Sequence, residues 1–227
     1  MKTVLVTGAA KGIGLATAKL FQDKGWKVLS LDKQFGSEVV GEKVIFDLRD
    51  FFSIPKLIRN LDPIDTLVNN AAVLYCDELG KIPVDHIEEI LSVNLRAPVA
   101  LMDAVIPGMQ GRKQGRVVSV GSVSAFTGHP DLWYGATKAA LLNITKSYAG
   151  QFGSDGIIVN AVAPGPTQTD MYDQLPESRK QSVMQSVHFS RPCEPSEVAQ
   201  TIFWLGSDSP EYISGTTVDV NAGSYPR

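Results

Sequence analysis

Ser122, Tyr134 and Lys138 lie within one stretch, S-V-S-A-F-T-G-H-P-D-L-W-Y-G-A-T-K, running from 122 to 138. If the segment from Trp133 onward is helical, Tyr134 and Lys138 stand one turn apart on the same face. An ammonium beside a phenol favours the phenolate and draws the tyrosine pKa down from about 10 towards neutrality. Tyr134 then serves as a general acid/base, and Ser122 can hydrogen-bond the same oxygen of a substrate. The Tyr-x-x-x-Lys spacing alone arises often by chance, so its meaning depends on the elements that position it.

Thr3–Thr7 is an apolar, β-branched run that reads as a buried strand. T-G-A-A-K-G-I-G follows at 7–14, and Ile13, Thr17, Leu20 and Phe21 then recur at helical spacing. Gly25 ends that helix and Lys27–Asp32 reads as a second strand, completing a βαβ unit. Gly8, Gly12 and Gly14 suit a pyrophosphate, which needs a tight turn, a surface free of side chains and close helix–strand packing. The helix beginning near Gly12 points its free N–H groups at such an anion; an ordinary glycine-rich turn is the bland alternative. Asp32 stands where a carboxylate would bond the adenosine ribose hydroxyls and repel a 2′-phosphate, which favours NAD over NADP. Lys11 and Lys33 read either as phosphate partners or as solvated surface lysines.

Residues 33–43 read as a loop, Lys43–Asp47 as a third strand with Asp47 and Leu48 at its end, and Phe51–Asn60 as a short helix begun by Asp50. Asp65–Asn69 reads as a fourth strand, ending in Asn69, Asn70, Ala71 and Ala72. That ending is either turn chemistry or a floor beneath a nucleotide. Pro83–Met109 reads as one long helix. Pro98 has no N–H for the carbonyl of Asn94, so a kink is expected there, with a freed carbonyl able to hold a water; a surface Asn and a tolerated proline is the other reading. Arg116–Val120 is a strand delivering Ser122, Trp133–Phe152 a helix, and Ile157–Val162 a strand leading into A-P-G-P-T-Q-T at 163–169. The long connection 166–192 reads as a lid over a site. A helix at 195–205 and a strand at 216–220 finish the chain. Seven strands alternating with helices predict a doubly wound parallel α/β sheet, a three-layer αβα Rossmann fold. The expectation is a single domain over 1–227, with substrate bound under the lid at 166–192.

The chain has 227 residues, 44% hydrophobic and 20% charged, with net charge −3. No basic stripe asks for nucleic acid, and no polybasic run or apolar stretch of roughly 20 residues asks for a membrane. Met1 and Lys2 lead straight into the first strand, so no signal peptide is expected. Cys76 and Cys193 lack metal-ligand spacing and read as free thiols of a reducing, cytoplasmic compartment. His129 borders the substrate or is a polar loop residue; His188, in the lid, carries the same two readings. His86 is expected on an exposed helix face. Trp133, Tyr75 and Phe126 either wall the pocket or pack.

Taken together these motifs resemble the short-chain dehydrogenase/reductase family along essentially the whole chain. T-G-A-A-K-G-I-G resembles its cofactor turn, with Gly8, Lys11, Gly12, Ile13 and Gly14. N-N-A-A resembles its N-N-A-G motif, with Ala72 in place of the usual glycine. Asn94, Ser122, Tyr134 and Lys138 match its catalytic residues. Pro164, Gly165, Thr167 and Thr169 match the segment that meets the nicotinamide carboxamide. The resemblance implies hydride transfer between NAD(H) and a secondary alcohol or ketone, NADP being less favoured. Tyr134 moves the proton, Lys138 lowers its pKa and bonds the nicotinamide ribose, Ser122 places the substrate oxygen, and Asn94 holds a relay water. Asp47 would accept from the adenine amino group with Leu48 nearby, and Asn70, Ala71 and Ala72 would line the adenosine side. A homotetramer, or a dimer, paired through the helices at 83–109 and 133–152 is also implied. The short 32–47 segment implies a reduced crossover, and Cys193 stands where a glycine is common. The branch oxidising cyclohexadiene diols is similar in this respect. The alternatives are an NADPH-dependent 3-oxoacyl thioester reductase and a non-catalytic nucleotide-sensing protein.

Overall fold

Every residue of β1 (Thr3–Thr7) is buried, and its side chains alternate between two cores, as a central strand with both faces covered requires. Leu5 belongs to one core; Val4 and Val6 belong to the other. Leu67 against Val68 and Val117 against Val118 repeat the division. These strands are β4 (Thr66–Asn69) and β5 (Gly115–Val120). With β2 (Lys27–Asp32), β3 (Glu42–Ile45), β6 (Ile157–Pro164) and β7 (Thr217–Val220) they form one all-parallel sheet in the order β3-β2-β1-β4-β5-β6-β7. The structure is a computed structural model that describes residues 1–226; Arg227, the last residue of the expected domain, lies outside them.

On one face lie α1 (Gly12–Asp23) and α8 (Pro195–Ser207), which pack on each other through Phe21, Val198, Ile202 and Leu205. On the other lie α2 (Ile54–Arg59), α4 (Ala97–Arg112) and α5 (Leu132–Phe152), joined by Leu101, Met102, Ile106 and Met109. The two helical layers and the sheet are the three-layer Rossmann arrangement, in a single domain. Strand order reverses direction between β1 and β4, and ligands in such sheets bind at the carboxyl ends around that point. No helix interrupts residues 33–41. The third strand stops at Ile45, two residues before the expected end, and the fifth and sixth run slightly longer than expected.

The helix expected at 83–109 is not one kinked α-helix. It consists of α3 (Val84–Leu91), a π-helical turn at Ser92–Arg96, then α4. The amide of Ala97 bonds the Ser92 carbonyl, five residues back, so the ladder has shifted register just before Pro98. A π turn absorbs one extra residue, and the missing proline donor falls where that shift is being taken up. The same run, 29 residues from Val84 to Arg112, is long and apolar enough by composition to cross a bilayer, contrary to the sequence reading. Its apolarity is accounted for by packing: 56% of the apolar window is buried, and α4 places Ala97, Leu101, Val105 and Met109 in the core.

Gly14 sits where the first turn of α1 crosses the end of β1, and a Cβ there would lie 2.0 Å from the Gly8 carbonyl oxygen. That obstacle is backbone and cannot swing away. We expect Gly14→Ala to cost about 3 kcal/mol or more, read as a lower urea midpoint at unchanged slope. A midpoint equal to wild type would contradict the close packing of α1 on β1.

Candidate active site

The carboxyl ends of β1, β2, β4, β5 and β6 open into one cavity of about 870 Å³. Gly8, Lys11, Gly12, Ile13, Asp32, Asp47, Leu48, Asn70, Ala71, Ala72, Ser122, Tyr134, Lys138, Pro164, Gly165, Thr167 and Thr169 all line it. Gly14 and Asn94 are the two sequence-expected site residues that do not.

At the nucleotide end Gly8 has φ +66°, and a Cβ on it would meet Ala71 Cα and Asn70 Nδ2 at 2.9 Å. The turn is held from below. Asn70 Nδ2 donates to the Thr7 carbonyl at 2.8 Å, and Thr7 Oγ1 accepts from the amides of Asn70 and Ala71 at 3.0 Å each. The result is a backbone surface bare of side chains at a helix N-terminus, which fits a dinucleotide pyrophosphate. Asp32 accepts from the amides of Ala10 and Lys33. Asp47 is held below its usual carboxylate pKa, first by its bond to Arg49. Lys11 also lines the cavity, and its ammonium pairs with Asp170 at 2.7 Å, joining the glycine turn to the segment after β6.

At the other end Asp131 caps α5, its Oδ1 accepting from the Tyr134 amide at 3.0 Å and its Oδ2 from the Tyr75 amide at 3.1 Å. One carboxylate thus fixes both where the helix starts and where the loop after β4 runs. One turn on, Lys138 is 2% exposed, and its Nζ donates to the Val120 carbonyl at 2.7 Å. The ammonium lies 5.6 Å from the Tyr134 ring centre. Ser122 ends the loop from β5, and its Oγ accepts from the Ser124 amide at 3.1 Å.

The electrostatics of this pair differ from the sequence expectation. Burial pushes the Tyr134 phenol up to about 12, only partly opposed by hydrogen bonding with Ser122. Burial likewise pulls Lys138 down to about 8. An ammonium with one carbonyl partner inside a protein is costly, so the environment disfavours both charged forms. In this geometry the phenol keeps its proton at neutral pH.

Asn94 is neither a surface residue nor a wall of the cavity. It is 1% exposed, and its amide clamps Val73: Oδ1 accepts from the Val73 amide at 2.8 Å and Nδ2 donates to the Val73 carbonyl at 2.9 Å. Its other near neighbour is Thr137 Oγ1, at 3.4 Å, on α5.

Residues 166–192 include α6 (Asp170–Asp173) and α7 (Glu177–Gln185), and bring Met171, Tyr172, Leu175, Arg179 and Val183 to the cavity. Cys193 anchors the far end of this segment, pairing with Thr167 through Cys193 N to Pro166 O and Gln168 N to Cys193 O, both 2.8 Å. Burial pushes its thiol up to about 11, so it is a poor nucleophile. His129 does line the cavity, with its Nε2 2.8 Å from Arg179. His188 does not; it lies under Gly223. His86 is half-buried rather than exposed, stacked on Tyr75 at 3.7 Å and bonded to Asp77. Tyr75 lines the cavity, whereas Phe126 stacks on Tyr225 and Trp133 is absent from the wall. Sequence reasoning missed Asp131 and Arg179. An acidic residue three before Tyr134 is an N-cap signal that could have revealed the first; no local pattern marks the second.

A family model described as enoyl-(acyl carrier protein) reductase matches residues 8–225. The 3-oxoacyl-(acyl-carrier-protein) reductase of Vibrio harveyi is 34% identical over 237 residues, covering 99% of this chain and 97% of the relative. A solved 3-oxoacyl-(acyl-carrier protein) reductase from Brucella melitensis superposes with TM-score 0.91 at 30% identity, covering 100% of this chain and 92% of that one. ElxO, solved with NADP bound, superposes with TM-score 0.88 at 25% identity over 98% of each chain.

The lowered pKa of Lys138 has a thermodynamic signature. From about pH 8 to about pH 10 the unfolded chain holds a proton that folded Lys138 has lost, so this group makes stability rise with pH. The contribution approaches about 1.4 kcal/mol per pH unit. We expect Lys138→Met to flatten that component in urea unfolding series across the window. Parallel wild-type and variant curves would contradict the shift.

Proposed function

The chain belongs to the short-chain dehydrogenase/reductase family and is an NAD(P)-dependent oxidoreductase acting on CH–OH or keto groups; from this we propose that Tyr134, Ser122 and Lys138 carry the reaction, with NAD as the preferred cofactor. The observation that carries the proposal is the meeting of Tyr134, Ser122 and the buried Lys138 in the same cavity as the bare glycine turn. When bound, the nicotinamide supplies the hydride acceptor or donor.

Tyr134 Oη moves the proton to or from the substrate oxygen, and Ser122 Oγ holds that oxygen beside it. A phenol at about 12 stands ready as the acid, the form that ketone reduction requires. In the opposite direction the Lys138 ammonium, 5.6 Å from the Tyr134 ring centre, favours the phenolate. Asn94 acts as a positioning residue, since its amide fixes Val73 and with it the Asn70–Ala72 wall. Gly8, Gly12, Ile13 and Gly14 would hold the pyrophosphate. Asp32 would hold the adenosine ribose, Asp47 and Leu48 the adenine, and Pro164, Gly165, Thr167 and Thr169 the carboxamide. Asp32 is the ground for preferring NAD: a carboxylate there repels a 2′-phosphate.

The segment 166–192 is the lid that excludes water when substrate is in place. A cytoplasmic homotetramer paired through α4 and α5 completes this reading, and light scattering at micromolar concentration tests the subunit number. A second reading, reduction of a 3-oxoacyl thioester, is favoured by the names of the curated relatives. A cofactor-linked assay over alcohols, polyols and hydroxyacyl thioesters, with NAD and NADP side by side, separates the two.

We expect Tyr134→Phe to lower kcat/KM by about 10²–10⁴ while fluorescence titration shows cofactor binding intact; full activity in that variant would remove Tyr134 from the chemistry. Asp32→Ala should reduce the NAD-over-NADP preference by about tenfold or more. An unchanged or sharper NAD preference would contradict the ribose contact.

A further inference from the structure

The charges around the cavity are not balanced evenly. Its carboxylates are all engaged: Asp32 by two amides, Asp47 by Arg49, Glu89 by the Tyr75 hydroxyl and Asp170 by Lys11. At the substrate end Arg179 of α7 lines the same space with no carboxylate partner among the described residues.

Among the described residues the guanidinium's one hydrogen-bond partner is His129, Nη2 to Nε2 at 2.8 Å. A guanidinium can only donate. Nε2 must therefore accept, which puts the imidazole proton on Nδ1, donating to the Asp131 carbonyl at 3.0 Å rather than accepting from the Asp131 amide, which lies 3.2 Å away. His129 is thus neutral and oriented at both nitrogens. Burial, with Arg179 close by, also holds the imidazole below its usual pKa against the opposing bond to Asp131. The imidazole ring sits 5.2 Å from the ring of Tyr134. His129 thus neighbours both the guanidinium and the ring of the proton-transfer phenol. Four of the five guanidinium N–H donors are left for a ligand, and a planar fork of donors suits the paired oxygens of an oxoacid.

We propose that Arg179, carried by α7 and steadied by neutral His129, binds an anionic oxoacid group, carboxylate or phosphate, on the alcohol or ketone substrate. This rests on the oxidoreductase reading of the site and narrows it to small substrates whose charge lies near the reacting carbon.

The test compares matched substrates on the full-length chain. One arm pairs hydroxy acids with their methyl esters, the other pairs polyol phosphates with the free polyols. We expect Arg179→Met to reduce kcat/KM for the charged member by about 10- to 100-fold and to leave the neutral member unchanged, with Arg179→Lys recovering part of the loss. The arm that responds identifies the oxoacid. Equal effects on charged and neutral members would overturn the proposal. A second measurement does not depend on turnover: malonate and inorganic phosphate are titrated while the His129 and Arg179 side-chain nitrogens are followed by NMR. A saturable shift in the wild type that Arg179→Met abolishes supports the site. No saturable shift with either anion, or the same His129 shift in the variant, overturns it. Full turnover in Tyr134→Phe would count against the oxidoreductase reading of the site, and the anion titration would stand apart from that result.

Discussion

The site depends on one buried cation. Lys138 has almost no contact with solvent, and its ammonium donates to the carbonyl of Val120, which ends β5. That bond ties α5 to the sheet where Ser122 leaves it, so the phenol one turn earlier faces the serine. An ammonium in such a place costs stability, and its pKa falls accordingly. Natural active sites commonly hold groups that the fold alone would reject. Here packing holds the lysine in place, because in the turn after it α5 carries Leu141 and Leu142 into the interior.

Around this cation the loop after β4 is fixed by three side chains from three different elements. Thr7 takes the amides of Asn70 and Ala71, Asn94 takes both backbone groups of Val73, and Asp131 takes the amide of Tyr75. Almost every second residue of this wall is bonded to a partner far away in sequence. A loop held this way needs no secondary structure of its own, and it forms one rigid side of the cavity. The opposite side is built from short helices, α6 and α7, in which no residue is fully buried. It is therefore the less tightly packed side. The Lys11–Asp170 ion pair links the glycine turn to this side, and both partners are exposed, so it is readily broken.

Much of this was legible in the sequence because the signals were local. The β-branched runs, the glycine turn between Thr7 and Ile13, and the helical recurrence to Phe21 each require only a few neighbouring residues. What was not legible depends on distant partners. Asn94 beside Pro98 suggested a kink with an open carbonyl; the structure instead shifts the ladder through a π turn and uses the amide to hold Val73, 21 positions away. The Tyr134–Lys138 spacing was read correctly as geometry but not as electrostatics, since adjacency says that the charges attract and nothing about how deeply both are buried. Arg179 came from a polar helix without any motif, and only the folded chain sets it against His129.

The sharpest test is a direct titration of the pair in the isotopically labelled full chain, following Lys138 Nζ and the Tyr134 ring carbon bearing the hydroxyl. Burial as the dominant influence requires Lys138 to lose its proton first, near pH 8, with Tyr134 still protonated. A tyrosine that ionises near neutral pH beside a lysine still charged at its ordinary value of about 10.4 would contradict it.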